Sequence, residues 1–364
     1  MASQATMHTN ITEDDAQIIH NAETQILNHC FAFVDTLVLR SAVELHIPDI
    51  IHSHGHPMTV SEIASKIMSA TPPNIPSLAR IMRVLASKDI FTINYNQEKE
   101  ALYGLTITSK SLLNDSNNLS FAPMFLSLTH PTAMAPWHTL SHSIKEGGTP
   151  FERVYGETFW EKSSKEPELN EFNSGMAYVT KNMMNALLKG YKDEFSKLEG
   201  SLVDVAGGFG DVVGEIVKAH PNIEGINFDL PHVVAAAPPV PGVTHVGGDM
   251  FSHIPQADTI LLKSVLHNWG DEDCIKILKN IKKAISKKRG KVILVEIILQ
   301  SNTSRKERFE DAKMILDRFM MTIFGGGKER TEKEWKKLLN DAGFTRYNII
   351  QIHSTVSIIE AFPL

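Results

Sequence analysis

Cysteine is scarce in this chain: Cys30 and Cys274 are the only two in 364 residues, far apart and without ligand-spaced neighbours. That excludes a disulfide framework and a thiolate metal site, and it fits a reducing compartment. Long apolar runs are also missing. Nowhere do about eighteen apolar residues follow one another, which excludes a membrane-spanning helix of ordinary length. An excess of basic charge is absent too, since the formal net charge is −6, and this argues against a general nucleic-acid binder. The opening residues are polar, acidic at Glu13, Asp14 and Asp15, and lack an apolar core segment. No secretory signal is expected there, and the reading is a cytoplasmic protein. What remains is ordinary: 42% hydrophobic and 21% charged residues, enough for a sizeable core in one large domain or two smaller ones.

Residues 1–18 read as a loose tail and 19–120 as a first, mainly helical domain. Its first helical stretch, Ala22 to Leu45, carries apolar residues on more than one face, among them Ile26, Leu27, Phe31, Phe33 and Leu37. Such a helix is buried deeply or shared with another subunit. Thr59-Val60-Ser61-Glu62 is a capping box that opens a short helix through Ile67. A second helix from Leu78 to Ser87 follows, then a hairpin of Phe91–Ile93 and Leu102–Leu105. Helix, helix and hairpin make a winged-helix unit. DNA binding through Arg80, Arg83 and Lys88 is disfavoured in an acidic chain with cations this scattered, so packing or dimerisation is the better reading.

Residues 121–198 change in composition, with methionines and aromatics interleaved among glycines and polar residues before a linker helix at Asn185–Leu198. Such a stripe suits walls around a planar apolar ligand, although it serves a core equally well. From residue 199 to 364 strand and helix alternate. Strands are expected at Leu202–Val205, Gly225–Phe228, Thr244–Val246, Thr259–Leu262 and Val292–Val295. Helices are expected at Asp211–Ala219, around Val233–Ala237, at Asp271–Ser286 and at Arg305–Ile323. A capping box at Thr331–Glu334 opens a helix to Ala342, and Tyr347–Ile352 with Val356–Ala361 close the chain as an antiparallel hairpin at the sheet edge. The fold class is α/β: a Rossmann-like, doubly wound parallel sheet whose ligands sit at the strands' carboxyl ends.

The stretch LVDVAGGFGDVVGEIVK, Leu202 to Lys218, is a buried strand turning on glycines into a helix. Such a turn brings backbone N–H groups close to a ligand. Asp229, after the next strand, is placed to take the two hydroxyls of a ribose. The dinucleotide pattern G-x-G-x-x-G fails, because Val213 stands where the third glycine should be. Asp249 beside Met250 suits an adenine, carboxylate to exocyclic amine and thioether to ring. Lys263 and His267 follow the fourth strand, Glu296 ends the fifth, and Glu329 sits in the loop GGGKERT. A carboxylate at the end of an apolar strand needs a partner. A histidine flanked by carboxylates is oriented and made more basic, as a general base should be.

LVDVAGGFGD, GINFDLPHVV, HVGGDMF, LLKSVLHNWGDEDC and GGKERTEKEW together resemble the successive motifs of the plant S-adenosylmethionine-dependent small-molecule O-methyltransferases. The resemblance spans nearly the whole chain. It is strongest to the benzylisoquinoline alkaloid subgroup, of the reticuline 7-O-methyltransferase kind, with isoflavone and other phenolic enzymes behind. It implies a winged-helix dimerisation domain followed by a Rossmann-like methyltransferase domain, hence a homodimer that takes a small aromatic acceptor, with no nucleic-acid or membrane partner. S-adenosylmethionine is the implied donor, S-adenosylhomocysteine the product, and no metal is implied. By the same resemblance Ala206, Gly208, Gly210, Asp229, Asp249, Met250 and Lys263 bind the donor. His267 is the base, positioned by Glu296 and Glu329, and Phe172, Met176, Leu316, Phe319, Met320 and Phe324 line the acceptor pocket.

Three positions depart from the family pattern: Ala206 replaces a glycine, Phe209 a threonine, and Asn268 an aspartate after the histidine. Ala206 adds a methyl where backbone and ligand approach, Phe209 brings a ring to the turn, and Asn268 removes a charge near the base. N-methylation of an amine, which needs little base, is the alternative these departures suggest. An NAD-linked oxidoreductase and a non-catalytic dimer partner are the readings from other classes.

Overall fold

The computed structural model describes residues 13–114, 120–163, 165, 170–286, 290–300 and 309–363. Two compact units divide at His130 and Pro131.

In the first unit, helices run over Glu13–Cys30, Ala32–Glu44, Ile47–His54, Val60–Lys66 and Ile75–Ser87. The first begins inside the stretch expected to be a loose tail. The single helix expected from Ala22 to Leu45 is broken at Phe31. The capping box forms: Thr59 Oγ1 accepts from the Glu62 N–H while Glu62 takes the Thr59 N–H. Strands β1 (Phe91–Tyr95) and β2 (Ala101–Leu105) pair antiparallel. They close over a core of Ala42, Ile47, Ile51, Met58, Ile63, Leu78, Met82 and Leu85. The first two helices bury little of their apolar surface within the chain. Ile26 is 63% exposed and Phe31 60%. Of the two readings open for that stretch, deep burial within its own chain fails. No single helix among the described residues is long and apolar enough to cross a membrane, although the pair Gln17–Cys30 and Ala32–Glu44, bent by 40°, meets that test by length and composition together.

The second unit is built on a sheet of β3 (Gly200–Val205), β4 (Ile223–Asp229), β5 (Val243–Gly247), β6 (Thr259–Lys263), β7 (Lys291–Leu299), β8 (Arg330–Thr331), β9 (Arg346–Gln351) and β10 (Val356–Phe362). The order is β5-β4-β3-β6-β7-β10-β9, with β8 beside β7. Strands β3 to β8 pair in parallel, and the closing hairpin pairs antiparallel, β10 lying between β7 and β9. Order reverses between β3 and β6, which opens a crevice at the carboxyl ends of the strands. Leu202, Val203 and Val205 are fully buried, as parallel strands covered on both faces require. The helix Asp211–Ala219 packs Val212, Val213, Ile216 and Val217 onto the sheet. Each such side chain contributes about 1.5–3 kcal/mol on burial. Close approach there needs glycine: a Cβ at Gly225 would lie 2.7 Å from Val217 and 3.0 Å from Val213.

Helices Asp271–Ala284, Glu310–Ile323 and Glu332–Ala342 cover the β6 and β7 side. The expected start at Arg305 lies outside the described residues. The linker helix is longer than expected, Asn170–Gly190, and continues after Tyr191 as Lys192–Phe195. Tyr191 anchors it: its hydroxyl donates to Glu360, and Lys291 Nζ lies 3.0 Å from both oxygens. Burial and the two neighbouring carboxylates push the Tyr191 phenol far above its ordinary value.

Candidate active site

The glycine turn leaves β3 through Ala206, whose N–H donates to Phe228 O at 2.8 Å and ties the turn to β4. Ala206 sits at φ +56°, the left-handed region that disfavours a side chain. Restoring glycine there is expected to stabilise the fold by about 0.5–1 kcal/mol after the entropy of the unfolded chain is counted. The check is the urea midpoint of Ala206→Gly. Phe209 is 49% exposed, so its ring is not packed into the turn.

Behind the turn, two fully buried polar side chains converge. A Cβ on Gly207 would lie 2.3 Å from Asn227 Oδ1 and 2.7 Å from Asp204 Oδ2. Among the described residues neither oxygen has a hydrogen-bond partner. Asn227 Nδ2 donates to Gly208 O at 2.8 Å and lies 3.0 Å from His245 Nδ1, so the amide's orientation is set. Burial, moderated by Lys263, pushes the Asp204 carboxyl up to about 7, where it holds a proton through much of the neutral range.

The two carboxylates expected to hold an adenosine close β4 and follow β5. Asp229 Oδ2 accepts from the Gly208 N–H at 2.8 Å and Oδ1 from the Leu230 N–H at 2.6 Å. Each oxygen keeps capacity for one more donor. Asp249 accepts from the Phe251 N–H at 2.9 Å and the Ser252 hydroxyl at 3.1 Å, while Met250 packs half-buried on the central core. Gly248 donates to Asp229 O at 2.9 Å and locks the two strand ends together. A Cβ on Gly208 would meet nothing within 4 Å, so the turn faces open space. Open backbone flanked by carboxylates with spare acceptor capacity fits a nucleoside that offers hydroxyls and an amine.

Lys263 ends β6 between the two halves of the site, its Nζ 3.3 Å from Thr180 Oγ1. Burial lowers its pKa, against the opposing pull of Asp204 and Glu296.

One turn further, Leu266–Asn268 carries His267. Its Nδ1 lies 2.8 Å from Glu329 Oε1 and 4.0 Å from Glu296 Oε2. Glu296 is 0% exposed and accepts at Oε1 from the Val265 and Leu266 N–H groups, at 3.1 and 2.9 Å. Burial alone would depress the imidazole's pKa. The Glu296 charge, then the Glu329 hydrogen bond and charge, outweigh that and hold it above the ordinary histidine value. Burial and the charge of Glu329 raise the Glu296 carboxyl, with His267 opposing. With Nδ1–H directed at Glu329, the neutral ring keeps its lone pair on Nε2. His267, Glu296 and Glu329 are also the one grouping of three potential metal ligands found among the described residues, their ligand atoms within 4.8 Å of one another.

The residues expected to line an acceptor pocket divide. Met320 and Phe324 lie in a buried aromatic cluster with Phe151 and Phe159, and Phe319 packs against it. Leu316 packs instead against the core beside β7. The side chains of Phe172 and Met176 fall outside the described residues.

Comparison with known proteins gives this geometry a family. An O-methyltransferase domain model matches residues 137–345, and an O-methyltransferase dimerisation domain model matches residues 27–115. The (R,S)-reticuline 7-O-methyltransferase of Papaver somniferum is 49% identical over 356 residues, covering 96% of this chain and 99% of that protein. The chain belongs to the plant O-methyltransferase family. Its methyl donor is S-adenosylmethionine. The desmethylxanthohumol 6'-O-methyltransferase of Humulus lupulus is 48% identical to it, over 93% of this chain and 98% of that one. The solved human N-acetylserotonin methyltransferase shares the fold with a TM-score of 0.77 at 20% identity, covering 100% of this chain and 99% of that one.

Several residues of this methyltransferase that shape the site escaped the sequence reading. Asp204 and Asn227 sit in strands expected to be buried and carry no role in the sequence reading. Asp317 Oδ1 accepts from the Glu329 N–H at 2.9 Å, from mid-helix. Arg330, 0% exposed, has no role in the sequence reading of the loop GGGKERT. Only its adjacence to Glu329 could have signalled a role.

Proposed function

We propose that this methyltransferase transfers the methyl group of S-adenosylmethionine to a phenolic hydroxyl of a benzylisoquinoline-type alkaloid, with His267 as the general base. The observation that carries the base assignment is the imidazole held 2.8 Å from Glu329 with Glu296 behind it, which leaves Nε2 free to take a proton. S-adenosylmethionine, when bound, supplies an electrophilic methyl on a sulfonium. Asp229 holds the ribose hydroxyls, Asp249 and Met250 the adenine, and the Ala206–Gly210 turn with Lys263 the remainder.

A phenol has a pKa near 10 and histidine near 6.5, so the proton leaves as attack proceeds rather than beforehand. Holding the reactants at attack distance contributes about 7–11 kcal/mol of the barrier reduction. The aromatic cluster around Phe151, Phe159, Met320 and Phe324 suits that clamping of a flat acceptor. The exposed Leu27, Phe31, Phe33 and Leu37, within the segment matched by the dimerisation model, support a homodimer.

A phenol of the hop relative's kind is the second reading, because 48% and 49% identity barely separate the two relatives. Labelled donor with reticuline, desmethylxanthohumol, an isoflavone and an aromatic amine, side by side, decides between them. Turnover of the amine alone would overturn the O-methyl assignment. The base must be neutral to act, and its carboxylates raise its pKa. The acid limb of the kcat/KM profile is therefore expected above about pH 6.5, the ordinary histidine value. A limb below that value would contradict the assignment.

A further inference from the structure

We propose that Arg330 is a positioning residue for methyl transfer: its guanidinium grips the backbone on both sides of His267 and thereby holds the imidazole against Glu296 and Glu329. The proposal rests on the reading of His267 as the base and adds what keeps that base in place.

Arg330 Nη1 donates to Leu266 O at 3.0 Å and Nη2 to Trp269 O at 2.8 Å, carbonyls before and after His267. From the other side Glu296 takes the Val265 and Leu266 N–H groups. Leu266 is thus held at both its N–H and its carbonyl. Three successive residues hold the loop in different ways. The Lys328 N–H donates to His267 O at 2.9 Å, Glu329 holds the imidazole at 2.8 Å, and Arg330 takes the flanking carbonyls. Gly327 permits this approach, since a Cβ there would come within 3.0 Å of His267 O.

Arg330 is itself fixed. Asp271 Oδ1 accepts from Nε at 3.0 Å and from Nη2 at 2.8 Å, and the guanidinium carbon lies 5.5 Å from the centre of the Trp335 ring. As part of β8, Arg330 is in register with Ile298 of β7, two residues past Glu296. Buried Cys274, its thiol pushed up to about 12 by desolvation, donates as a neutral group to Leu266 O at 3.1 Å. The two carbonyls and the carboxylate are reached from three nitrogens of one planar fork, a spread that a single ammonium nitrogen does not reproduce. A charge this deeply buried is costly to desolvate, and polar partners on every side are what make it tolerable.

The test compares wild type with Arg330→Lys and Asp271→Asn, the latter removing the charge of a half-exposed anchor of the guanidinium while keeping an acceptor oxygen. Displacement of a catalytic group by about 1 Å costs on the order of a hundredfold. In Arg330→Lys, kcat is expected to fall by about that factor, with acceptor KM and the calorimetric Kd for S-adenosylhomocysteine unchanged. Because the loosened imidazole loses its carboxylates, the acid limb of kcat moves to lower pH. Asp271→Asn shows the same two changes in smaller measure. Wild-type kcat with an unmoved limb in folded Arg330→Lys overturns the proposal, and so does a fall in kcat without movement of the limb. Should Arg330→Lys not fold, the same two outcomes in Asp271→Asn decide. Full turnover by His267→Ala would instead defeat the base assignment itself.

Discussion

Replacing His267 with alanine is expected to lower kcat by about 10²–10⁴-fold, the range a positioned general base supplies. Binding of S-adenosylhomocysteine stays unchanged, because the groups expected to hold it follow β3, end β4, follow β5 and, at Lys263, end β6, and the histidine is not one of them. The loop should keep its path, since Glu296 and Arg330 hold its backbone rather than its side chain. The substitution does leave two buried carboxylates facing one another without a cation between them. His267→Gln, which keeps a polar side chain in the space, therefore serves as the companion variant. Single-turnover rates with a phenolic acceptor and calorimetry with the donor product check both. Turnover near wild type in either variant, with donor binding intact, removes the histidine from the chemistry.

The donor half of the site was legible in the sequence because its signals are local. A strand, a glycine turn and a helix pattern lie within LVDVAGGFGDVVGEIVK, and Asp229 and Asp249 follow at the ends of the next two strands. The histidine and its two glutamates were joined by the family motifs and by their places at strand ends, with the distances left to the fold. His267, Glu296 and Glu329 lie just after β6, on β7 and just before β8, and only the parallel pairing of those strands brings them together. Strand β8, just Arg330 and Thr331, is too short to leave any alternation of side chains, so its buried arginine had no sequence signature. The break at Phe31 was invisible for a related reason. The apolar pattern runs through it because it serves surface that the single chain leaves open. Asp204 read as part of an otherwise apolar strand, and its significance depends on Asn227 meeting it behind Gly207, a contact between neighbouring strands.

Glu296 offers a way to separate what stabilises this site from what tunes it. Glu296→Ala removes the only described acceptor of the Val265 and Leu266 N–H groups, leaving two buried donors unsatisfied. Each costs about 1–3 kcal/mol, so the variant is expected to lose about 2–6 kcal/mol, read as a lower denaturant midpoint. Glu296→Gln keeps the Oε1 acceptor and should unfold within about 1 kcal/mol of wild type. It also removes the charge that, after burial, acts most strongly on the imidazole. That charge raises the histidine's pKa, so its loss lowers it, and the acid limb of kcat should move to lower pH with the fold intact. Burial raises the glutamate's own pKa, with the charge of His267 opposing. A limb that stays in place in Glu296→Gln would mean that Glu296 already carries a proton in the working protein, and that Glu329 alone charges and orients the base. A limb that moves would mean that Glu296 works as an anion, held in the interior by the imidazolium and the two backbone N–H groups it accepts.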